Sequence, residues 1–278
     1  MITFFSIPKP FLGHIEIIQR NAIQSWKLLH PECEVILFGD EYGIKEFASK
    51  HEIRHIPEIK RNEYGTPLVS DSFNQAQNDS KSNILCYVNA DIIFLDDVSI
   101  LISEIIKTMN RFLIVGRRWD LDIKNLLNFD VNWQLQMVNQ LNLRGKLHPK
   151  YGIDYFIFTK NLFDEIPDFA VGRPGWDNWM IYYARSLHCP VIDASDAITA
   201  IHQNHDYSHV PQRTGPKYNG PEGERNLALT GGSSHRLTID DANYKLTKRI
   251  LREKTMFGFR KSVKNVNQWL LDSIRKYA

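Results

Sequence analysis

The sequence predicts an α/β protein built on a Rossmann-like, mostly parallel central sheet that is flanked by helices. Over residues 2–56, short apolar segments alternate with amphipathic ones in a β-α-β-α-β order, which is typical of a helix-covered parallel sheet. Residues 84–88 form a continuous apolar run, the pattern of a strand that is buried on both faces. At 278 residues, 43% hydrophobic and 24% charged, the chain suits one large globular domain with an appendage.

The N-terminal segment has the alternation of a nucleotide-binding half. Strands are predicted over residues 2–7, 34–38 and 51–56, with amphipathic helices over residues 15–29 and 42–49. The first strand is not followed by G-x-G-x-x-G, and G-x-x-x-x-G-K-[ST] does not occur in the sequence. The sequence therefore does not support a dinucleotide oxidoreductase or a P-loop enzyme.

Further strands and helices continue this alternation. Additional strands are predicted at 111–116, 150–159, 190–193 and 197–201, and additional helices from near Pro67 and at 97–109, 121–145 and 176–187. In the helix predicted over 121–145, Trp133 and Met137 share one face, which favours a core position for both.

Two polar side chains interrupt the apolar run after residue 88. Asn89 and Asp91 flank the small Ala90 at the end of the predicted buried strand, where open α/β sheets hold their ligands. Hard cations such as Mg²⁺ and Mn²⁺ take oxygen ligands of this kind, usually one or two carboxylates together with substrate phosphates. The same tripeptide also fits an Asx-type turn that only ends the strand.

A second polar cluster opens the helix predicted over 176–187. In Gly172-Arg-Pro-Gly-Trp-Asp-Asn-Trp179, Asp177 falls in the first turn, where the helix dipole favours an ionised carboxylate. Taken alone, an aspartate in this position is a helix-terminal charge, and any further role depends on the rest of the chain.

A third cluster follows the last predicted strand of the second half. His202, His205 and His209 lie close together in the chain, with Asp206 between the second and third. Imidazole nitrogens are common metal ligands, although zinc sites usually draw ligands from more than one element. The cluster predicts either a metal site or a hydrogen-bonded loop.

Taken in order, these parts resemble a GT-A nucleotide-sugar glycosyltransferase of the bacterial, family-2-like type over about residues 1–235. Asn89-Ala90-Asp91 resembles a degenerate form of the Asp-x-Asp motif, and Gly175-Trp-Asp-Asn-Trp179 resembles the acid motif at a helix start. The resemblance implies that Asp91 holds Mn²⁺ or Mg²⁺ against the donor diphosphate, with His205 or His202 as a further ligand. It also implies that Asp177 is the general base of an inverting displacement.

The resemblance also implies where the donor and the acceptor bind. The candidate donor-binding residues are Ser6, Pro8, Lys9, Asp40, Asn89, Ala90, Asp91 and Arg117, and the candidate acceptor-binding residues are Trp119, Asp154 and Trp176. Arginine suits phosphate or carboxylate recognition, and tryptophan suits stacking on a sugar face. For residues 117–120 the alternative is a rim salt bridge beside a core tryptophan, and for residues 8–10 it is a stiff loop.

We expect two domains. Residues 1–235 form the GT-A catalytic domain, with residues 1–97 as its nucleotide-binding half and residues 98–235 as its acceptor and catalytic half. Residues 236–278 form a C-terminal helical extension. Residues 245–278 carry a formal charge of +8, whereas the rest of the chain carries −6.

The apolar side chains of this tail recur at helical spacing among the basic ones; they are Phe259, Val263, Val266, Leu270 and Ile274. A basic amphipathic helix suits an anionic membrane surface, and it can equally pack against the catalytic domain.

Composition bears on the cellular location of the protein and on the classes of partner that it binds. The formal charge of +2 gives no reason to expect nucleic acid, and the three cysteines form neither a metal spacing nor a disulfide framework. The first residues lack the basic region and the apolar core of a signal peptide, and no apolar run approaches the length of a membrane span. We therefore expect a cytoplasmic protein, peripheral to the inner face of the membrane if the tail binds lipid.

The expected activity is transfer of a sugar from a nucleoside-diphosphate donor to a hydroxyl of an acceptor glycan or glycolipid, with residues 211–232 as a lid. A sugar-phosphate nucleotidylyltransferase is an alternative, although residues 6–10 lack its glycine-rich, basic loop. The residues are also compatible with a noncatalytic, membrane-associated carbohydrate-binding protein and with a histidine-based metal hydrolase.

Overall fold

Two sheets organise the part of the chain that the structure describes. The computed structural model describes residues 2–205, 220–247 and 251–254. Its first elements are β1 (Thr3–Ser6), α1 (Gly13–Leu28), β2 (Glu34–Phe38), α2 (Ile44–Lys50), β3 (Arg54–Ile56), α3 (Val69–Asp79), β4 (Ile84–Val88), β5 (Ile92–Phe94), α4 (Asp97–Ile105), β6 (Leu113–Val115) and β7 (Arg118–Leu121). They are followed by α5 (Trp133–Arg144), β8 (Lys146–Leu147), β9 (Tyr155–Thr159), α6 (Trp176–Ser186), β10 (Val191–Asp196), β11 (Ala200–Gln203), α7 (Pro221–Leu229), β12 (Tyr244–Thr247) and β13 (Leu251–Glu253), with 3-10 turns at Ser233–His235 and Ile239–Asp241.

The larger sheet confirms the predicted mostly parallel architecture. Nine strands of the described residues pair in the order β13-β12-β10-β6-β9-β4-β1-β2-β3. Strands β1, β2, β3 and β4 pair in parallel, and β6, β10 and β12 do so on the other side. Strand β9 runs antiparallel between β4 and β6, with Val88 opposite Tyr155. The residue before β9 therefore lies at the same edge as the carboxyl ends of the parallel strands.

The central strands are buried on both faces because helices cover both sides of this sheet. Successive side chains of a strand point to opposite faces. Phe4 and Cys86 accordingly join one apolar cluster with Trp26 of α1, and Phe5 and Tyr87 join the other with the α3 and α6 side chains. This double covering is why the strands appear in the sequence as unbroken apolar runs.

The small sheet pairs in the order β5-β11-β7-β8.

The segment before α5 differs from the prediction. A helix was predicted over residues 121–145, whereas α5 begins only at Trp133. Asn21 of α1 explains the difference: its side chain accepts a hydrogen bond from Leu127 N (2.9 Å) and donates one to Asn125 O (3.0 Å). These contacts satisfy backbone groups that a helix would otherwise use. The predicted core position of Trp133 and Met137 is confirmed.

The C-terminal region also differs from the prediction. A helical extension was predicted from residue 236, whereas β12 pairs in parallel with β10 and β13 pairs antiparallel with β12. Leu246 is buried, while the neighbouring Lys245 reaches the Asp196 carboxylate (2.7 Å), an alternation of period two that suits a strand. The rest of the predicted tail helix, residues 255–278, lies outside the described residues. Within the described residues, no helix has the length and apolar character needed to cross a membrane.

The indole of Trp26 joins α1 to the start of β5. The ring is fully buried, and its Nε1–H donates to the carbonyl of Ile92 (2.8 Å). Trp26→Phe removes that donor and leaves the carbonyl without its partner, so we expect a loss of about 1–3 kcal/mol in the free energy of unfolding. Urea denaturation measures it.

Trp133→Phe is the matched control, since the ring of Trp133 makes no hydrogen bond within the described residues. It removes the same ring volume and only packing. An equal loss in both variants would contradict a specific contribution from the Trp26 hydrogen bond.

Candidate active site

The candidate site forms where the carboxyl edge of the large sheet meets the small sheet. Asp91 lies between β4 and β5, and β11 runs antiparallel to β5 and parallel to β7. In this register His202 lies opposite both Ile92 and Asp120. Pairing of the strands therefore brings together side chains that are more than 100 residues apart in the chain.

Asp91, His202 and His205 form a cluster in which one ligand atom from each residue lies within 4.8 Å of the others. Asp91 Oδ2 is 3.1 Å from His205 Nε2 and 3.8 Å from His202 Nε2. Asp91 Oδ1 is buried and has no hydrogen-bond partner among the described residues. A buried orphan carboxylate oxygen beside two imidazole nitrogens fits a divalent cation, so the predicted metal ligands come together. His209 lies outside the described residues.

The surroundings of Asp91 favour its ionised form. Burial raises the pKa of this carboxyl, but His202, His205 and Lys9 together lower it well below its usual range. A metal ligand must be deprotonated, so this carboxylate needs no proton release to bind a cation at neutral pH.

Asn89 has a different role from the one predicted for it. Its Nδ2 donates to Asp154 Oδ1 (2.8 Å), and its Oδ1 accepts from the Tyr87 hydroxyl (3.3 Å). Because each end of the amide makes a hydrogen bond inside the protein, Asn89 supports Asp154, and its contact with the donor stays a prediction. Ala90 is buried in the core beside it.

A buried ion pair lies at the centre of this edge. The guanidinium of Arg118 forms a salt bridge with Asp154 Oδ2, and its Nε lies 3.0 Å from Asp120 Oδ1. Asp154, predicted as an acceptor residue, is therefore held at both oxygens, by Asn89 at Oδ1 and by Arg118 at Oδ2. Neither Arg118 nor Asp120 was among the predicted site residues. Their alternate spacing on β7 was the available signal, because it places both on one face of the strand.

The two tryptophans predicted to bind the acceptor point elsewhere. Trp119 alternates with Arg118 and Asp120 on β7, so its ring faces the other way and packs against the α5 cluster. Trp176 is 5% exposed and packs against the rings of Tyr87 and Phe156. Trp176 is thus part of the core, whereas Trp119 is only partly buried, and contact of either ring with an acceptor stays a prediction.

Asp177 lies in the first turn of α6, as predicted, and is partly buried. Removal from water raises its pKa to about 7; the backbone N–H groups of Asn178 and Ile153 lower it, and the charge of Asp154 raises it. The Asn178 side chain donates to Leu237 O (2.8 Å) and holds the start of the helix in place. A carboxyl with a pKa near neutrality can accept a proton at physiological pH.

Three predicted donor residues lie at the end of β1. Lys9 is within electrostatic reach of both Asp91 and Asp154; burial lowers the pKa of its amine, and these two carboxylates raise it. Gln19 fixes its backbone through two hydrogen bonds: the Gln19 side-chain oxygen accepts from Lys9 N (2.6 Å), and its amide donates to Lys9 O (2.9 Å). Ser6 and Pro8 are buried, and the Ser6 hydroxyl donates to Val88 O (2.6 Å). Only Lys9 of the three therefore presents a charge to the site.

The remaining predicted donor residues take part in separate contacts. Asp40 follows β2 and forms an ion pair with Arg61 (2.6 Å), its carboxylate being largely exposed. The Arg117 guanidinium donates to the carbonyls of His148 (2.6 Å) and Leu147 (3.4 Å), so it fixes the strand β8. Asp40 remains available to a ligand, whereas the Arg117 side chain is used in the fold.

No family model matches this sequence, and no curated protein matches it. Among solved structures, TarS residues 1–349 of S. aureus in complex with UDP-GlcNAc superimposes with a TM-score of 0.52 at 12% identity. That match covers 83% of this chain and 64% of the TarS chain, so this chain spans less than two thirds of the TarS length.

Two further structures are similar at 12% identity. One is glucosyl-3-phosphoglycerate synthase from Mycobacterium tuberculosis with Mn²⁺, UDP and glucosyl-3-phosphoglycerate, with a TM-score of 0.48 over 85% of this chain and 80% of that one. The other is the mannosyltransferase PcManGT from Pyrobaculum calidifontis with GDP-Man and Mn²⁺, with a TM-score of 0.45 over 74% and 58%.

The chain has a GT-A fold. In this fold the cluster of Asp91, His202 and His205 lies at the carboxyl edge of the sheet, together with Asp154 before β9. The expected fold is thus confirmed.

Because Asn89 donates to Asp154, restoring the strict Asp-x-Asp motif should destabilise the folded protein. Asn89→Asp replaces a hydrogen bond to Asp154 with a second carboxylate, so we expect a loss of about 1–3 kcal/mol in stability at pH 7.5. The new carboxyl has a raised folded-state pKa, so its destabilising effect grows as pH rises above the unfolded pKa and shrinks toward pH 4. Urea denaturation at the two pH values measures this.

Asn83→Asp is the control. Asn83 lies just before β4, at the opposite end of the same strand, and its side chain is exposed. Its substitution should change stability by no more than about 0.5 kcal/mol. If Asn89→Asp is equally mild, Asn89 does not support Asp154 as described.

Proposed function

We propose that this protein is a glycosyltransferase that moves a sugar from a nucleoside-diphosphate donor to an acceptor hydroxyl. The observation that carries the proposal is the cluster of Asp91, His202 and His205 at the carboxyl edge of a GT-A fold. The fold similarity to TarS, which was solved with UDP-GlcNAc, supports a nucleotide-sugar donor.

The cation would be held by Asp91, His202 and His205, and when bound it supplies positive charge that offsets the charge developing on the departing diphosphate. Two imidazole nitrogens favour Mn²⁺ over Mg²⁺, because Mg²⁺ prefers oxygen ligands. The carboxylate of Asp91 contributes the oxygen ligand, and the buried Oδ1 atom has no competing partner among the described residues.

Lys9 adds a second positive group next to the same carboxylates. Its backbone is fixed by Gln19, so its amine reaches toward Asp91 and Asp154 from a defined point at the end of β1. An amine in this place would attract the donor phosphates and partly balance the carboxylates. Asp40, at the end of β2, would contact the base or ribose of the donor.

Asp177 would act as the general base. Its pKa of about 7 lets it accept the proton of an acceptor hydroxyl as the oxygen attacks the anomeric carbon. Attack from the side opposite the leaving diphosphate inverts the anomeric configuration. Asp154, fixed by Asn89 and Arg118, lies close enough to raise the pKa of Asp177.

We further propose that the acceptor is a glycan or glycolipid and that the protein works in the cytoplasm, peripheral to the membrane. The charge of +8 over residues 245–278 supports an anionic surface as its partner. Co-sedimentation with phosphatidylglycerol vesicles tests this, and the absence of binding at low salt would contradict it.

Donor binding tests the metal cluster. We expect one of UDP, GDP, dTDP or CMP to raise the melting temperature in the presence of Mn²⁺, by about 5 °C at a hundredfold excess over Kd. Asp91→Asn should abolish this shift because it removes the charged ligand. Asp79→Asn, an exposed acid paired with Arg54, should keep it. No shift with any nucleotide would contradict the proposal and favour the carbohydrate-binding alternative.

Asp177→Asn tests the base. We expect kcat to fall by about 10²- to 10⁴-fold, and the wild-type rate to rise with pH through about 7 as Asp177 loses its proton. NMR of the product should show an inverted anomeric centre, and retention would contradict the assigned role.

The melting temperature of Asp177→Asn distinguishes a loss of the general base from misfolding. The folded-state pKa of Asp177 lies above the unfolded value, so the folded protein binds more protons between pH 4 and 7 and loses stability as pH rises through that window. Asp177→Asn removes this penalty and should melt at a higher temperature than the wild type at pH 8, with little difference at pH 4. Asp164→Asn, an exposed acid, should change neither rate nor melting temperature.

A further inference from the structure

The carboxylate of Asp120 contacts two histidines and one arginine. Its Oδ1 lies 3.2 Å from His202 Nδ1 and 3.0 Å from Arg118 Nε, and its Oδ2 lies 2.8 Å from His148 Nδ1. The side chain is 23% exposed. Both oxygens are thus used by side chains that come from β7 itself, from β11 and from the residue after β8.

The imidazole of His202 spans two carboxylates. Its Nδ1 lies 3.2 Å from Asp120 Oδ1, close but without the alignment of a hydrogen bond, and its Nε2 lies 3.8 Å from Asp91 Oδ2. A neutral imidazole carries its proton on the nitrogen next to the acceptor, which leaves the other nitrogen as a lone-pair donor. Because the Asp120 carboxylate is the nearer of the two, its charge favours the tautomer with the proton on Nδ1, which presents Nε2 to a cation beside Asp91.

The second oxygen of Asp120 holds the segment that leads to the acceptor side. His148 is further fixed by its backbone, with its N–H donating to Arg118 O (2.9 Å) and its carbonyl accepting from Arg117 Nε (2.6 Å). Residues 148–154 then run to Ile153, whose N–H lowers the pKa of Asp177, and to Asp154. One carboxylate thus contacts a metal-ligand candidate and the start of this segment.

We propose that Asp120 is a positioning residue that orients His202 toward the cation through Oδ1 and anchors residues 148–154 through Oδ2. The proposal rests on the proposed function for the identity of the cation site, but the orientation of His202 is a property of the protein alone. Asp120 itself would not touch the donor or the acceptor.

The first test uses Mn²⁺ alone and measures its affinity by isothermal titration calorimetry. Asp120→Asn keeps the size of the side chain but offers only one acceptor oxygen to two histidines. Outer-sphere partners of metal ligands typically contribute 10- to 100-fold to affinity, so we expect a loss of that size. Asp122→Asn is the control, since Asp122 lies two residues away, is exposed and, among the described residues, accepts from the side chain of Asn204 (2.7 Å).

The second test reads the ring nitrogens of His202 by long-range ¹H–¹⁵N NMR of the metal-free protein, with His202→Gln identifying its signals. The wild type and Asp122→Asn should carry the proton on Nδ1, and Asp120→Asn should shift the population toward Nε2. A wild-type ring protonated on Nε2 would overturn the proposal.

His148→Gln separates the two oxygens. It removes the Oδ2 contact alone, so we expect Mn²⁺ affinity within about threefold of the wild type and a higher KM for the acceptor. Wild-type affinity for Mn²⁺ in Asp120→Asn would overturn the proposal. If the wild type binds no Mn²⁺, the proposed cation site fails, and the NMR test still decides whether Asp120 orients His202.

Discussion

The pairing of Gln203 with Asp91 is the interaction on which the rest of the site depends. Gln203 is fully buried; its backbone N–H donates to Asp91 O (3.1 Å), and its side-chain amide donates to Asp91 O (3.2 Å) and to Ile18 O (2.7 Å). The side-chain oxygen accepts from Asn21 (3.0 Å), so α1, β5 and β11 meet at one residue. Because strand register is discrete, a shift of one residue would turn His202 away from Asp91. The geometry of the cluster is thus a consequence of backbone pairing, which buried amides fix.

Charge balance explains why this chain departs from the strict Asp-x-Asp pattern. Asp91, Asp120 and Asp154 lie close to one another, and Lys9 and Arg118 are the cations whose charges lie beside them. A buried carboxylate without a partner is costly, whereas an amide that donates to Asp154 adds no charge. Asn89 therefore completes the hydrogen bonding of Asp154, and among these three carboxylates Asp91 keeps an oxygen that has no partner within the described residues.

The local sequence pattern was sufficient to predict features that depend on a single strand or helix. The runs at 34–38 and 84–88 predicted β2 and β4 with their observed bounds, and polarity at strand and helix ends identified Asp91, His202 and Asp177. The prediction for Trp119 weighed residue type above the alternation of β7, which points its ring towards the α5 cluster. The spacing of Arg118 and Asp120 places both on one face of β7, but their contacts with Asp154, His202 and His148 depend on the pairing of distant segments, which no local spacing encodes. The strands β12 and β13 were missed because basic residues obscured their period of two.

Asp154 links the buried contacts at this edge of the sheet to the pKa of Asp177, the candidate base. It lies before β9 at the carboxyl edge because β9 runs antiparallel, and Asn89 and Arg118 hold its two oxygens. Its charge raises the pKa of Asp177 beyond what burial alone would do. The ion pair with Arg118 limits that effect, since the positive guanidinium offsets much of the field of the carboxylate. Burial and the N–H groups of Asn178 and Ile153 act on the same pKa, so Asn89 and Arg118 tune the proton affinity of Asp177 through Asp154 as one contribution among several.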